Sequence, residues 1–168
     1  MKHILTLLAA LLLAPVAVHC ADPPKAGADT KTLRVFIFAG QSNMVGSDSK
    51  AEDIKRFPPF VGLDLPQDKV LFAYNIGREE KLTSKGWVAL QPVDEVVGPE
   101  LSFARKVSQE INAPIAIIKC AAGGTTLGGD WNPDDPSGFK LYPRALQLIQ
   151  SSLAELDRRK FILFLSCP

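Results

Sequence analysis

The stretch Leu33-Arg34-Val35-Phe36-Ile37-Phe38-Ala39, followed at once by Gly40-Gln41-Ser42-Asn43-Met44-Val45-Gly46, decides how this chain is read. Its first half is a nearly continuous apolar run rich in Val, Ile and Phe. Such a run suits a strand buried on both faces. Gly40 ends it and permits a tight turn with close backbone approach. A serine then stands just past the strand, where a substrate can reach it. A helical turn opening near Asn43 would leave free backbone N–H groups beside Ser42, and such donors stabilise an oxyanion. The plain alternative is that Ser42 and Asn43 only cap a turn.

Outward from this point, Val70 to Ile76 (VLFAYNI), Pro114 to Lys119 (PIAIIK) and Phe161 to Leu165 (FILFL) read as strands. A short strand is expected near Trp87 to Leu90, with Trp87 in the core. Ala51 to Lys69 carries Pro58, Pro59 and Pro66 and reads as loop. Pro99 opens a helix through Ile111, because proline is tolerated at the first helical position and Glu100 suits the helix dipole. Leu101, Ala104, Val107 and Ile111 share one face of it. A second helix, Leu141 to Arg159, presents Ala145, Leu148, Ile149, Ser152, Leu153 and Leu156 on its inner face. Strands alternating with helices predict an α/β fold: a parallel sheet in three layers with helices on both faces. Ligands of such sheets sit beyond the carboxyl ends of the strands. That rule selects Gly40 to Gly46, the segment after Ile76, and Cys120 to Thr126.

Composition narrows the function. The chain has 168 residues, enough for one domain, with Lys and Arg totalling 19 against 18 Asp and Glu. This balance lacks the basic excess that nucleic-acid binding requires. Lys2 followed by the apolar run Ile4 to Val18 is the pattern of a cleaved export signal, and the run is short for a bilayer span. Residues 1–21 are therefore expected to be a signal peptide cut after Cys20 or Ala21, and 22–32 a polar tether. Acylation at Cys20 fits less well, because His19 occupies a position that favours a small residue. The expected location is secreted or periplasmic, with no membrane span after cleavage. The two histidines, His3 and His19, both fall within the leader. Cys120 and Cys167 remain; pairing is open to an exported chain, and a buried free thiol is the plainer reading.

Other signatures fit the serine loop poorly. A Walker loop needs Lys after its second Gly, whereas Gly46 precedes Ser47; the α/β-hydrolase elbow G-x-S-x-G has Met44 in its last position. Gly40-Gln41-Ser42-Asn43-Met44 instead resembles the first block of the sialate O-acetylesterase and acetylxylan esterase family, which consists of carbohydrate esterases of the SGNH-hydrolase type. Val97-Gly98-Pro99-Glu100 resembles its G-P-E block. Cys120-Ala121-Ala122-Gly123-Gly124-Thr125-Thr126-Leu127, with Trp131 after it, resembles its G-G-T-S-x-x-W loop.

The resemblance implies a flavodoxin-like SGNH fold over 33–168 and hydrolysis of acetyl esters on sugars through an acyl-serine intermediate. Ser42 would be the nucleophile and one oxyanion donor through its own N–H, and Gly98 the second donor. Gln41, Asn43, Gly123, Gly124, Thr125 and Trp131 would contact substrate. No metal or organic cofactor is implied, and the partner is an acetylated carbohydrate.

Two family blocks do not occur in this sequence: Q-G-E after the strand matching Phe161 to Leu165, and D-x-x-H, which supplies the base and its orienting acid. Serine is a poor nucleophile without a base. Asp48 and Glu100 are substitutes only by proximity to motif residues. The fold is accordingly expected to be incomplete at its C-terminus, leaving Phe161 to Leu165 uncovered. The chain by itself is expected to be weakly active or inactive. Two alternatives stand beside this: a non-catalytic carbohydrate-binding protein, and a half-enzyme completed by another chain. Asp130-Trp131-Asn132-Pro133-Asp134-Asp135 begins like a calcium loop but has Asp135 where Gly is required, so Asx turns account for it better.

Overall fold

The run that decides the sequence reading forms β1, Thr32–Gly40, and side chains of both parities in it are buried. The computed structural model describes residues 32–156, apart from 81 and 136, and the backbone of residues 157–158 and 162–166. The expected signal peptide, the tether up to residue 31 and Cys167 lie outside the described residues, as do the side chains of Phe161 to Leu165. After β1 come a single turn of helix, α1 (Ser42–Val45), and two 3-10 turns, Ala51–Arg56 and Pro58–Phe60. Then follow β2 (Gln67–Ile76), β3 (Leu82–Thr83), β4 (Val88–Leu90), α2 (Pro99–Glu110), β5 (Ile115–Ala121), α3 (Leu141–Arg158) and β6 (Ile162–Ser166).

The sheet has the order β3-β2-β5-β1-β6, with β4 also paired to β2. β1, β2, β5 and β6 are mutually parallel, as expected for an α/β fold. The departure is at β2, where β3 and β4 add on antiparallel and make the sheet mixed. β4 falls where a short strand is expected near Trp87 to Leu90, whereas β3, of two residues, carries no alternation for a sequence reading to detect. β2 also begins at Gln67, inside the segment read as loop; the Gln67 side chain donates to the Leu101 carbonyl, 2.9 Å away.

Parity divides the core into two layers. Phe36 and Phe38 of β1, Phe72 of β2, and Ile115 and Ile117 of β5 point to one face, against Leu101 and Ala104 of α2. Phe103 meets Phe36 and Phe38 edge-on, with ring centroids 4.8 Å and 5.2 Å apart. Leu33, Val35, Ala116 and Ile118 point to the other face, where Leu148, Ile149, Leu153 and Leu156 of α3 cover them. Trp87 packs there, half-buried, and its indole N–H donates to the Ser152 carbonyl at 3.1 Å. Every residue of β5 is buried because both faces are covered. Each Leu or Phe so enclosed contributes roughly 1.5–3 kcal/mol.

For the site, the register matters most. Gly40 and Ile76 both lie opposite Ala121. The Ala122 N–H donates to the Gly40 carbonyl at 3.1 Å and the Gly77 N–H to the Ala121 carbonyl at 2.9 Å. Three strands thus end level, and their loops open on one edge of the sheet. No helix among the described residues is long and apolar enough to cross a membrane.

Candidate active site

Ser42 is the first residue of α1, half-buried at the carboxyl end of β1. The turn closes through Val45 N–H to Gln41 O and Gly46 N–H to Ser42 O, both 2.9 Å. Gly46 ends it with φ +88°, a conformation that favours glycine. Its position demands glycine a second time. A Cβ there would lie 2.6 Å from the Val97 carbonyl oxygen and 2.9 Å from the Gly98 nitrogen. The serine turn and the Gly98 segment are therefore in backbone contact. Gly123, from the loop after β5, closes the other side: a Cβ on it would stand 3.8 Å from the Ser42 Cβ. Three segments far apart in sequence meet at the serine turn, the Gly98 segment at its Gly46 end and the Gly123 loop at Ser42. Neither the Ser42 nor the Gly98 N–H donates to a protein acceptor among the described residues.

Beneath Gly98 lies a pair that the sequence reading missed. Lys119 on β5 and Glu100 on α2 are 1% and 2% exposed, and Nζ is 2.7 Å from Oε2. Lys119 also donates to the Val45 carbonyl of α1 at 3.2 Å. Any Cβ on Gly98 would collide with both the Glu100 carboxylate and the Lys119 ammonium. One buried cation thus ties together the serine turn, the start of α2 and the central strand. Burial pushes the Glu100 carboxyl above its ordinary range against the pull of Lys119, and pushes the Lys119 ammonium down against the pull of Glu100. Glu100 is committed to this pair. The available signal was Lys119 itself, since a charge inside an all-apolar strand requires a partner.

Two arginines, also missed, hold the neighbouring loops. Arg78 donates to the carbonyls of Gly123 at 2.8 Å and Gly124 at 3.0 Å. Its guanidinium occupies the space that a Cβ on Gly124 would take. Arg144 of α3 donates to the carbonyls of Gly77 (2.8 Å), Arg78 (2.6 Å) and Phe139 (3.1 Å), and pairs with Glu80 at 3.0 Å. Guanidinium groups suit this task because five donors in a fixed fork can serve several carbonyls at once.

The other expected residues are placed as follows. Gln41 is exposed, and its Oε1 accepts from the Ser42 hydroxyl at 3.4 Å. Thr125 is buried and its hydroxyl donates to the Ala122 carbonyl at 2.7 Å, bracing its own loop. Trp131 is half-buried; with Gly40, Gln41, Thr125 and Leu127 it lines a cleft of about 340 Å³. Asn43, Gly46, Asp48 and Gly98 line a second, larger cleft of about 520 Å³.

The loop from Thr126 to Lys140 is organised by Asp130, which accepts from the Thr126 N–H at 2.8 Å and the Phe139 N–H at 3.2 Å. These bonds hold its carboxyl below the usual range. Asx turns occur at Asn132 and Asp135. No cluster of three metal-ligating side chains exists among the described residues. Cys120 faces α3, and burial pushes its thiol up to about 11.

Comparison with protein families matches residues 32–165 to the family described as carbohydrate esterase, sialic acid-specific acetylesterase. Among solved structures, a protein from Arabidopsis thaliana is similar at 22% identity and a TM-score of 0.47, over 71% of this chain and 50% of that one. A carbohydrate acetylesterase from Xanthomonas citri is similar at 17% identity and a TM-score of 0.45, over 70% of this chain and 29% of that one. The chain therefore spans half the length of the first and less of the second. Comparison with curated proteins returns no match.

Proposed function

The chain belongs to the sialic acid-specific acetylesterase family of carbohydrate esterases, and on that premise we propose that Ser42 attacks the carbonyl of an acetyl ester on a sugar. The attack forms a bond from Oγ to the carbonyl carbon and places negative charge on the carbonyl oxygen. The N–H groups of Ser42 and Gly98 receive that charge, and the sugar oxygen leaves with the hydroxyl proton. Water then releases acetate from the acyl-serine. What supports the reading is that the Gly98 segment and the Gly123 loop both pack against the serine turn. Removing one such donor typically costs roughly 3 kcal/mol of barrier.

The hydroxyl's hydrogen-bond partner among the described residues is Gln41, an amide that cannot serve as a base at neutral pH. The 168-residue polypeptide therefore turns over slowly, at roughly the 10³-fold enhancement over water that oxyanion binding alone sustains. This same observation favours a second reading, in which the site binds an acetylated glycan without hydrolysing it. Acetate release from acetylated xylan and from O-acetylated sialic acid, measured for the polypeptide and for Ser42→Ala, tests both. Slow release abolished in Ser42→Ala supports the esterase. Binding with no release in either protein supports the second reading, and release that survives Ser42→Ala removes Ser42 from the chemistry.

A further inference from the structure

The larger cleft, about 520 Å³, has many times the volume of an acetyl group and begins at Asn43 and Gly98. Part of its lining comes from the pair of 3-10 turns after α1. Phe57 and Phe60 line it while remaining 54% and 45% exposed. Large exposed apolar side chains grouped beside a cleft mark a binding surface. Pro58 and Pro59 sit between the two rings and fix the backbone, so little conformational freedom remains to be lost on binding. Ile54, Leu63 and Val97 are the buried apolar residues of its lining. The charged lining is Asp48 and Asp53 against Lys50 and Arg56, equal in number and opposite in sign, and Arg56 is already paired with Asp53. A lining of this kind offers hydroxyl-binding groups without a net field to attract an anion.

We propose that this cleft is a glycan subsite that receives a neutral pyranose chain running away from the acetylated sugar, with Phe57 and Phe60 as stacking surfaces and the Asp53–Arg56 pair binding ring hydroxyls. Pyranose rings present an apolar C–H face and a polar rim, which match the two aromatic rings and the charged margin of this cleft. The proposal rests on the esterase reading for the expectation of a sugar at Ser42. The class of chain follows from the cleft itself: uncharged backbone sugars fit, and an acidic sugar is not favoured there.

The test is a titration of the isotope-labelled 168-residue protein, followed by amide NMR. The probes are xylotriose, cellotriose, mannotriose and, as the acidic comparison, N-acetylneuraminic acid. At least one neutral trisaccharide should shift amides in residues 53–60 and 98–102. Phe57→Ala and Phe60→Ala, both at exposed positions, should each weaken that binding by roughly tenfold. Shifts confined to Thr125 and Trp131, binding by the acidic sugar alone, or unchanged affinity in both variants would overturn the subsite. So would a concentration-dependent dimer that the two variants abolish, since the rings would then face a second copy. The probes carry no acetyl ester, so the result is independent of turnover. Acetate release that depends on Ser42, with no trisaccharide binding, removes the subsite and leaves the esterase. Trisaccharide binding without acetate release does the reverse.

Discussion

Replacing Lys119 with methionine strands a carboxylate. In the native fold Glu100 and Lys119 are separated by 2.7 Å and almost fully enclosed. At an effective dielectric of about 20 their attraction is about 6 kcal/mol. Burial opposes it, costing several kcal/mol per ion. The directions of both pKa shifts show that the cost prevails at each group, because Glu100 is raised and Lys119 lowered despite their attraction. The pair as a whole therefore adds little stability, whereas breaking it leaves one buried charge unpaired. Lys119→Met should cost about 3–5 kcal/mol, increased by the Val45 carbonyl, which also loses its donor. With a urea slope near 2 kcal/mol/M, the unfolding midpoint falls by roughly 2 M. Glu100→Leu combined with Lys119→Met removes both charges and should recover most of the loss.

The pH dependence has a definite sign. Glu100 without its cation is raised further, so the folded state holds a proton that the unfolded chain has released above its ordinary range near 4.5. Stability of Lys119→Met then falls as pH rises through the raised value, and its deficit against the parent is smaller at pH 5 than at pH 8. Urea melts of the parent, the single variant and the double variant at both pH values provide the measurement. A single variant within about 1 kcal/mol of the parent, or a double variant no better than the single, would refute the argument that burial outweighs attraction.

Other expectations concern the glycines, the thiol and the arginine clamp. Gly46→Ala should destabilise by about 2–4 kcal/mol, combining a left-handed backbone with a methyl forced into the Val97 carbonyl and the Gly98 backbone; thermal melting against the parent measures it. Cys120 should resist alkylation in the native protein at pH 8, because its thiol ionises near 11 and is buried, and should react fully in urea; peptide mass spectrometry reads that residue separately from the other cysteines. Arg144→Met removes charged hydrogen bonds worth about 1.5–3 kcal/mol each where they are shielded. Amide exchange should then accelerate at Gly77 to Glu80 and 123–124 before it does in β5, whose residues are covered on both faces. Uniform acceleration across the sheet would mean that Arg144 supports the whole fold and not these loops.

Leu33 to Ala39, Val70 to Ile76 and the helix opened by Pro99 were legible because each carries its own evidence: apolar runs of strand length, helical spacing, a proline at the first turn. The positions of the three loops followed from the rule that parallel strands present their carboxyl ends together. Ser42 and Gly123 fall in loops that this rule selects, whereas Gly98 came from family resemblance alone, which also supplied the roles proposed for all three. Local sequence could not show what holds those loops in place. Lys119 and Glu100 are 19 residues apart, and Arg144 reaches carbonyls more than 60 residues away. The antiparallel pairing of β3 and β4 depends on β2 offering an edge. Patterning records where a side chain must be buried, since that is a property of one strand or helix against solvent. Which buried charge meets which partner, and which carbonyl receives a guanidinium, depends on how separate elements pack, and only the assembled structure contains that information.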